Sequence, residues 1–371
     1  MRVLSIATLV SPDGAYGGPV RVAVNQAVAL RQRGHEVTIA ASTRGYDDVP
    51  RELEGVPARL FPARTLVPGV GFAGLAAPEL WRWLRRNAGD FDVCHIHAAR
   101  DLVTLPGALI ADRRGLPFVL QTHGMIDRSE NPLAVPVDAV FTRPALRRAE
   151  RILYLTSVER EGLLAVGGDD LKLLHLPNGV PFADERTPSD RVEVLYLARL
   201  APRKRPDLFA RVAAALSEDF PWVRFALVGP DEGEADRVQA TIAGSGFADR
   251  IAWEGPLAPD ATVDRLRRAA IYVLPSVDEP YPMSVLEAMS VGLPVIVTDT
   301  CGLASAVADH AAGLVVDDRE ENLSAALRQL LADPDEARKM GARGRDYVRS
   351  QLDMGSIADR LVTVYSAAVS R

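Results

Sequence analysis

Short apolar runs alternate with amphipathic stretches along most of this chain of 371 residues. Apolar runs of strand length separated by helical periodicity are typical of a parallel sheet covered by helices on both faces. The pattern starts with a strand at 3–8, a glycine-rich turn, and a helix at 20–33 that Gly34 ends as a C-cap. Further strands of the first half are predicted at 36–41, 93–97, 118–122, 152–155 and 173–176.

The pattern begins again after a turn signal at Pro177-Asn178-Gly179. Residues 182–191 are mostly polar and include a proline, so we place a linker there. The second half carries predicted strands at 192–197, 224–228, 251–253, 271–274, 295–298 and 314–315, with helices that include 207–217, 263–269 and 354–368. We therefore predict two Rossmann-like, doubly wound α/β domains that face a central cleft, since ligands bind such folds at the carboxyl ends of the strands.

Composition narrows the class of partner. Hydrophobic residues make up 48% of the chain and charged ones 25%, as in soluble globular proteins. Aromatic residues are sparse at 6% and the net charge is −6, which disfavours a nucleic-acid partner. The first 180 residues carry 21 basic and 19 acidic side chains and the rest carry 22 and 30, so an anion site in the second half has to be a local cluster.

Cysteine content and the N-terminal sequence indicate a cytoplasmic protein. Cys94 and Cys301 are far apart and are expected to be reduced thiols. The chain has no signal-peptide layout and no apolar run of membrane-spanning length.

The strongest chemical signal is an acidic segment at 275–289, in which Glu279 and Glu287 lie eight residues apart. Pro280 and Pro282 keep its first part non-helical, and good helix formers begin at Met283. The N-terminus of that helix is a ready site for a diphosphate, and a carboxylate one turn inside it can accept both hydroxyls of a ribose. The alternative is two glutamates on a solvated face, which the apolar flanks disfavour.

A basic segment follows the first predicted strand of the second half. It places Arg199, Arg203, Lys204 and Arg205 within seven residues of an otherwise acidic half-chain. Arginine is suited to bidentate contacts with phosphate, so the segment is a candidate anion site. A solvated basic loop is the alternative.

The two segments together resemble glycosyltransferase family 4, retaining enzymes with the GT-B fold. The acidic segment is similar to the E-x7-E segment of that family, residues 292–299 continue its pattern, and the basic segment matches Arg-Leu-x3-Lys. The resemblance covers nearly the whole chain. It implies a retaining glycosyltransferase of the hexosyltransferase type, which transfers a sugar from a nucleotide-diphosphate-sugar to an acceptor hydroxyl on a glycan, a lipid-linked molecule or a small molecule, without a metal or other cofactor.

The GT-B resemblance also assigns the domains. Residues 1–182 would bind the acceptor, residues 190–350 would bind the donor, and residues 351–371 would form a helix that crosses back to the first domain. The reactive sugar, the base, the linkage and the oligomeric state stay open.

The resemblance assigns roles to single residues. Glu279 would lie beside the transferred sugar, Glu287 would hold the ribose, and Arg199 and Lys204 would hold the diphosphate. The predicted catalytic set is Glu279, His123, Arg199 and Lys204. This chain departs from the family where Pro280-Tyr281-Pro282 replaces a Gly-aromatic-Gly sequence, which leaves the identity of the sugar open, and where Arg205 replaces a usual glycine.

Further donor contacts are predicted on three loops. Gly17 and Gly18 close the first strand-to-helix turn and would lie across the cleft from the phosphates, although their spacing from Gly14 is not a dinucleotide fingerprint and a plain turn is the alternative. Backbone near Gly255 and Leu257 would hold the base. The start of the acidic segment's helix adds the remaining candidates, which are Tyr281, Met283, Ser284 and Val285.

Two histidines follow predicted strands. The resemblance places His123 in contact with the reacting sugar, and His97 is a weaker candidate on the acceptor side. We expect His95 to point to the opposite face from His97 and to pack inside. The His-x-His pattern lacks further ligands nearby, so no metal site is predicted. The Asp-x-Asp sequences at 90–92 and 333–335 are interpreted as structural.

Two segments bear on the acceptor. Residues 66–78 are apolar and glycine-rich, and Arg147 and Arg148 lie on a helix that begins near Pro144. They are either an ordinary loop and a solvated helix, which we favour, or a weak peripheral contact with a membrane surface or a lipid-phosphate acceptor. Two alternatives to a transferase are a nucleotide-sugar epimerase on the same fold and a non-catalytic nucleotide-sugar-binding protein.

Overall fold

The computed structural model describes residues 1–12, 17–181, 183–185, 192–258 and 261–370. The chain forms two compact units. The first unit consists of Met1–Pro181 and Met354–Arg371, and the second unit is Phe182–Asp353. Gly14 and most of the predicted linker lie outside the described residues.

A twisted, mainly parallel sheet forms the centre of the first unit, because its strands are apolar on both faces. The eight strands of this sheet and the two strands of a small separate pair are β1 (Arg2–Val10), β2 (Glu36–Thr43), β3 (Glu52–Leu53), β4 (Val56–Pro62), β5 (Arg64–Thr65), β6 (Leu75–Ala76), β7 (Val93–His97), β8 (Phe118–Gln121), β9 (Arg151–Tyr154) and β10 (Leu173–His175). The strand order in the large sheet is β10-β9-β8-β7-β1-β2-β4-β3, and β5 pairs with β6. Only the edge strand β3 runs antiparallel to its neighbour β4 among the described pairings of this sheet.

Helices cover both faces of this sheet. They are α1 (Gly17–Gln32), α2 (Pro78–Asn87), α3 (Thr104–Arg113), α4 (Ala134–Val137), α5 (Arg143–Arg148) and α6 (Ser157–Gly167). A π-helical segment, Asp138–Thr142, joins α4 to α5, and 3₁₀ turns are formed by Gly71–Gly74 and Ala88–Asp90.

The second unit repeats the architecture with a six-stranded parallel sheet. Its strands are β11 (Val192–Leu197), β12 (Val223–Val228), β13 (Ile251–Trp253), β14 (Ile271–Leu274), β15 (Val295–Thr298) and β16 (Gly313–Val316), in the order β13-β12-β11-β14-β15-β16. Its helices are α7 (Pro206–Ser217), α8 (Ala235–Gly244), α9 (Thr262–Arg267), α10 (Met283–Ser290), α11 (Ala304–Asp309), α12 (Glu320–Ala332) and α13 (Pro334–Gln351). A 3₁₀ turn, Pro202–Lys204, precedes α7. This is the strand order of a Rossmann fold.

The last helix, α14 (Met354–Val369), packs on the first unit. Its apolar stripe, which includes Ile357, Leu361 and Tyr365, is fully buried beside α1 and one face of the sheet. The other face of that sheet packs against α2, α3 and α5 through residues such as Leu80 and Leu109. Each face therefore has its own apolar core.

The structure differs from the predicted elements mainly at the edge of the first sheet. The strand β4 was not predicted, because it begins after Gly55 and contains two prolines and an arginine, which are typical of a loop. It is tolerated there because Val56 and Ala58 alternate inward while Pro57 and Arg59 face solvent next to the edge. Residues 66–78, predicted as an apolar loop, contain a 3₁₀ turn and strand β6. No helix in the described part of the chain is long and apolar enough to cross a membrane.

Candidate functional site

The second unit has a topological switch point between β11 and β14. These two strands pair in parallel, with Val194 opposite Ile271, and the connections from them run to opposite sides of the sheet. The loops that follow both strands therefore leave the sheet at the carboxyl ends of the strands, with no helix between them. Ligands bind open α/β sheets at such a crevice.

The loop after β11 carries the basic segment. The hydroxyl of Tyr196 donates to the carbonyl of Arg199 over 3.0 Å, which fixes the start of the loop. The 3₁₀ turn that follows leaves Lys204 only 9% exposed. Arg205 adopts a left-handed conformation with φ 52° and ψ 48° before α7 begins. A left-handed backbone is the physical reason for the glycine that the family prefers at this position.

Lys204 meets the first glutamate of the acidic segment. Its Nζ donates to Oε2 of Glu279, and the guanidinium of Arg203 lies 3.6 Å from the same oxygen. The Glu279 side chain is buried, so two cations compensate one carboxylate away from bulk water. Burial lowers the pKa of Lys204, and the charge of Glu279 acts against that shift.

The loop that carries Glu279 is held by backbone contacts on both sides. The amide of Val277 donates to the carbonyl of Arg203 over 3.1 Å, and the amide of Gly302 donates to the carbonyl of Glu279 over 2.8 Å. A Cβ atom at Gly302 would lie 1.7 Å from the carbonyl oxygen of Pro280. Only glycine allows this approach, so Gly302 is a positioning residue that the sequence did not single out.

The helix α10 begins directly after that loop. Pro282 is its N-cap residue and supplies no side-chain hydrogen bond, so the first amides of the helix have no capping side chain. The hydroxyl of Tyr272 donates to the carbonyl of Leu197 over 3.0 Å and lies 2.7 Å from Oγ of Ser284. Tyr272 thereby joins the end of β11 to the first turn of α10.

The residues predicted to bind the nucleotide-sugar on α10 and just before it lie near this junction. Glu287 is the fifth residue of the helix and is 4% exposed. Met283 and Val285 are buried, whereas Ser284 and Tyr281 are half-buried. The structure therefore brings Lys204, Glu279 and the start of α10 together at one edge of the second unit.

The loops that follow β12 and β13 lie at the same end of the sheet as the loop after β11. The amide of Gly229 donates to the carbonyl of Gly255 over 2.9 Å, and a Cβ at Gly229 would lie 2.0 Å from the carbonyl oxygen of Ala198. Gly255 has a positive φ of 81°, and Leu257 is half-buried two residues later. Arg199 contacts Oε1 of Glu232 at 2.6 Å and is partly exposed.

In the first unit the corresponding switch point lies between β1 and β7. Gly17 and Gly18 begin α1 after β1, and a Cβ at Gly18 would meet no atom within 4 Å. His97 ends β7 and His123 follows β8. The structure brings these two histidines together, with Nδ1 of His97 2.9 Å from Nε2 of His123.

The expected orientation of His95 is wrong. Its ring stacks on that of His97, with centroids 4.5 Å apart, and its Nδ1 lies 2.6 Å from the hydroxyl of Tyr365 on α14. Side chains alternate along a strand with a period of two, so residues 95 and 97 must share a face. His95 is nevertheless buried, as expected.

Glu159 fixes the turn that carries His123. His123 has a positive φ of 52°, and Gly124 follows with a φ of 71°. The buried carboxylate of Glu159 accepts hydrogen bonds from Thr122 Oγ1 at 2.5 Å, from the amide of Gly124 at 2.7 Å and from the amide of Leu155 at 2.6 Å. Its sequence signal is the Thr-x-x-Glu pattern of a capping box, since Thr156 caps α6, but its partners on the other loop could not be read from that pattern.

Arg147 and Arg148 contact other elements than the histidines. Nε of Arg147 donates to the carbonyl of Gly167 over 3.3 Å, and Arg148 lies 3.4 Å from Asp112. Together with Arg143 and Pro144 they line an open surface cavity of about 470 Å³.

Both Asp-x-Asp sequences have structural partners. Asp92 accepts from the guanidinium and the amide of Arg2, each at 2.7 Å. Asp333 caps α13 by accepting from the amide of Glu336 over 3.0 Å. Within the described ranges no three His, Cys, Asp or Glu side chains come together as metal ligands would.

The two Rossmann-like units, each with its own parallel sheet, have the fold of the GT-B class. Sucrose-phosphate synthase from Thermosynechococcus elongatus superposes with a TM-score of 0.79 at 20% identity, over 100% of this chain and 99% of that one. Anabaena HepE in complex with UDP-glucose superposes with a TM-score of 0.76 at 18% identity, over 99% of this chain and 100% of that one. The predicted fold class is confirmed.

The chain belongs to glycosyltransferase family 4, as the sequence resemblance indicated. The model of "Glycosyl transferases group 1" matches residues 181–347, and that of "Glycosyl transferase 4-like domain" matches residues 17–179. The chain is 28% identical to a D-inositol 3-phosphate glycosyltransferase of Kineococcus radiotolerans, over 100% of its length and 95% of the relative's. It is 29% identical to the protein of the same description from Nocardia farcinica, over 100% of its length and 89% of the relative's.

Proposed function

We propose that this glycosyltransferase binds a nucleotide-diphosphate-sugar on its second unit and transfers the sugar to an acceptor hydroxyl with retention of configuration. The observation that carries the proposal is the pairing of Lys204 with Glu279 at the switch point beside the N-terminus of α10. The solved complexes of Anabaena HepE with UDP and with UDP-glucose support a nucleotide-sugar donor.

The donor diphosphate would be held by cations and by helix amides. Lys204 and Arg199 are the candidate phosphate contacts on the loop after β11, and the first amides of α10 supply donors and a positive dipole end. Lys204 already has one anionic partner, so a bound phosphate would share or take the ammonium from Glu279. The ribose hydroxyls would reach Glu287 one turn inside the helix.

These groups would stabilise the negative charge that grows on the leaving diphosphate. Fixed cations and amides stabilise such charge without reorganising during the reaction. On this basis we propose that turnover requires no divalent metal. A diphosphate that is compensated by Arg199, Lys204 and α10 does not need Mg²⁺ for the same purpose.

The sugar would develop positive character as its bond to the diphosphate breaks. Glu279 is the carboxylate placed to stabilise it, because its charge lies in the loop between Lys204 and the start of α10. From the first unit we propose that His123 contacts the sugar. The departing phosphate would then accept the proton of the attacking hydroxyl, so no covalent enzyme intermediate is required.

D-inositol 3-phosphate is the first acceptor to test, because the relatives named above carry it in their descriptions. Glycan and lipid-linked hydroxyl acceptors are the further arms of the screen. A donor is first found by thermal shift with UDP-, GDP-, ADP- and TDP-sugars, since a ligand that binds the folded state raises the melting temperature.

The test is turnover with the donor found in that screen. The proposal requires nucleotide release that depends on the acceptor, and a product whose anomeric configuration by proton NMR equals that of the donor. An inverted product excludes the retaining mechanism. Conversion of the nucleotide-sugar without any acceptor would instead show an epimerase, and binding without turnover across the acceptor arms would show a non-catalytic binding protein.

Metal independence has its own measurement. We expect the rate in an excess of EDTA (about 5 mM) to equal the rate with added Mg²⁺ or Mn²⁺, because protein cations compensate the charge of the diphosphate. Loss of turnover in EDTA that either metal restores would contradict this part of the proposal.

A further inference from the structure

Three histidines of the first unit form a buried row, and the proposed chemistry uses only one of them, His123. The rings of His95, His97 and His123 lie side by side, with centroids 4.5 Å apart for the first pair and 5.2 Å for the second. They are 2%, 1% and 9% exposed. Buried polar rings cost free energy unless they are hydrogen-bonded, so the contacts along the row carry information about its purpose.

A tyrosine fixes the end of the row at His95. Nδ1 of His95 lies 2.6 Å from the hydroxyl of Tyr365, and Tyr365 is fully buried on α14. His95 in turn stacks on His97 with 23° between the ring planes. The ring of His97 therefore has a rigid neighbour on one side and His123 on the other.

The contact between His97 and His123 joins two neutral rings. Burial lowers the pKa of His123 to about 3 and that of His97 well below its ordinary value, with the neighbouring histidines adding to the latter shift. A hydrogen bond of 2.9 Å between Nδ1 of His97 and Nε2 of His123 then needs one N–H and one lone pair. The tautomer of one ring decides that of the other.

Either His97 donates this hydrogen bond from Nδ1 or it accepts it there. The second ring nitrogen of His97, Nε2, decides between these two arrangements. Its Nε2 is buried and has no hydrogen-bond partner among the described residues. If His97 accepted at Nδ1, its Nε2 would carry a buried N–H without an acceptor, and such orphaned donors are rarer than unmet acceptors. The less costly arrangement has His97 donating from Nδ1, with a lone pair on Nε2.

We propose that His97 is a positioning residue that holds His123 in its Nδ1–H tautomer, so that His123 offers a hydrogen-bond donor to an oxygen of the donor sugar. The sugar contact rests on the proposed function, whereas the tautomer does not. His123 accepts at Nε2 and keeps its proton on Nδ1. Its backbone is fixed separately by Glu159, so side chain and main chain are set by different partners.

The first measurement is the tautomer of His123, by nitrogen-15 NMR of the full chain labelled at histidine. The chain has six histidines, so single substitutions assign each ring. We expect the Nδ1–H pattern for His123 without any substrate. An Nε2–H pattern in the wild-type protein would overturn the proposal, whatever the enzyme does with a donor.

Two variants of His97 separate positioning from packing. His97→Phe keeps an aromatic ring but removes the donor, and His97→Gln keeps an amide donor in place of the ring. We expect His97→Phe to lose the Nδ1–H pattern of His123 and His97→Gln to retain it. If His97→Phe does not fold, the wild-type spectrum and His97→Gln decide the outcome, because a retained donor that fails to retain the tautomer contradicts the proposal.

Kinetics test the sugar contact. We expect kcat to fall about tenfold in His97→Phe, the size of one neutral hydrogen bond, with the donor KM within about twofold, and to recover in His97→Gln. His310→Gln, on α11's C-terminal end in the second unit, is the control for loss of a histidine elsewhere and should leave both constants unchanged. Equal rates in His97→Phe and the wild type would overturn the role in turnover, whereas failure of the proposed function would appear as a wild-type enzyme with no turnover and an unaltered tautomer.

Discussion

Lys204 is the central residue of the donor site that we propose. It is buried, it touches Glu279, and a second cation, Arg203, lies 3.6 Å from the same carboxylate oxygen. Removing one partner of a buried ion pair costs more than removing an exposed one, because the other charge is left without compensation. Here Arg203 limits that cost, so the variant Lys204→Ala is expected to fold.

Lys204→Ala should weaken binding of the nucleoside diphosphate more than binding of the nucleoside, because the lost contact is to phosphate. The expected loss is about 1.5–3 kcal/mol for a charge-assisted hydrogen bond. Isothermal titration calorimetry with both ligands measures it, and Lys339→Ala, an exposed lysine on α13, serves as the matched control. An equal loss for nucleoside and diphosphate would count against the assignment.

The buried histidines predict how stability depends on pH. Burial lowers the pKa of His95 from 6.5 to about 3, so between these values the unfolded chain binds a proton that the folded chain does not. The contribution of His95 to the free energy of unfolding therefore rises with pH between about 3 and 6.5, and it is lost as pH decreases through that range.

The variant His95→Phe isolates this term from Asp101, whose raised pKa of about 6 acts in the opposite direction. Between pH 6.5 and 4.5 the wild type should lose about 2 kcal/mol more than the variant in total. Urea unfolding at a series of pH values measures the difference. Parallel pH profiles for the two proteins would show that folding does not lower the pKa of His95.

At the scale of elements, the predicted strands follow the apolar runs closely wherever a strand is buried on both faces. β7, β11, β14 and β15 have the predicted bounds, since central strands with burial on both faces leave a continuous apolar signal. The edge strand β13 also has the predicted bounds, although Ala252 in it is exposed. The strand β4, next to the edge of its sheet, lacks that signal because one side of it faces solvent. The contact of Lys204 with Glu279 joins loops 75 residues apart, and it depends on the strand order, which local sequence does not specify.

In the first unit too, contacts between loops depend on a strand order that local sequence does not specify. The sequence indicated His97 and His123 separately, but their contact and the three hydrogen bonds of Glu159 depend on which strands are neighbours. The left-handed conformation of Arg205 could not be anticipated from an arginine, although the family's glycine at that position suggests it.

The close approach of Gly302 to the loop of Glu279 gives a prediction at this scale. Gly302→Ala would place a Cβ 1.7 Å from the carbonyl oxygen of Pro280, so the loop must move. We expect kcat to fall about tenfold or more, as small misplacements of catalytic groups do, with a lower melting temperature. The control is Gly244→Ala at the end of α8, where a Cβ would meet no atom within 4 Å and activity should not change. Wild-type kcat in Gly302→Ala would show that this loop does not position Glu279 for catalysis.

At the scale of the whole molecule, the chain builds two doubly wound units, and both candidate sites lie at the switch point of their sheet. In the second unit the candidates are charged and flank a helix N-terminus, as a diphosphate requires. In the first unit they are neutral histidines, which suit hydroxyl groups. The terminal helix α14 contributes Tyr365 to the first unit, where it meets His95, which lies 270 residues earlier in the chain.

The most direct test of this account is steady-state kinetics of Glu279→Gln beside Glu287→Gln, with calorimetric donor binding as the check on folding. Glu279 would act as positive charge develops on the sugar, so Glu279→Gln should lower kcat by about 100-fold or more while donor affinity stays near that of the wild type. Glu287 would hold the ribose in ground and transition states alike, so Glu287→Gln should mainly raise the donor KM. A wild-type kcat in Glu279→Gln would contradict the central claim that this carboxylate, paired with Lys204, performs the sugar transfer.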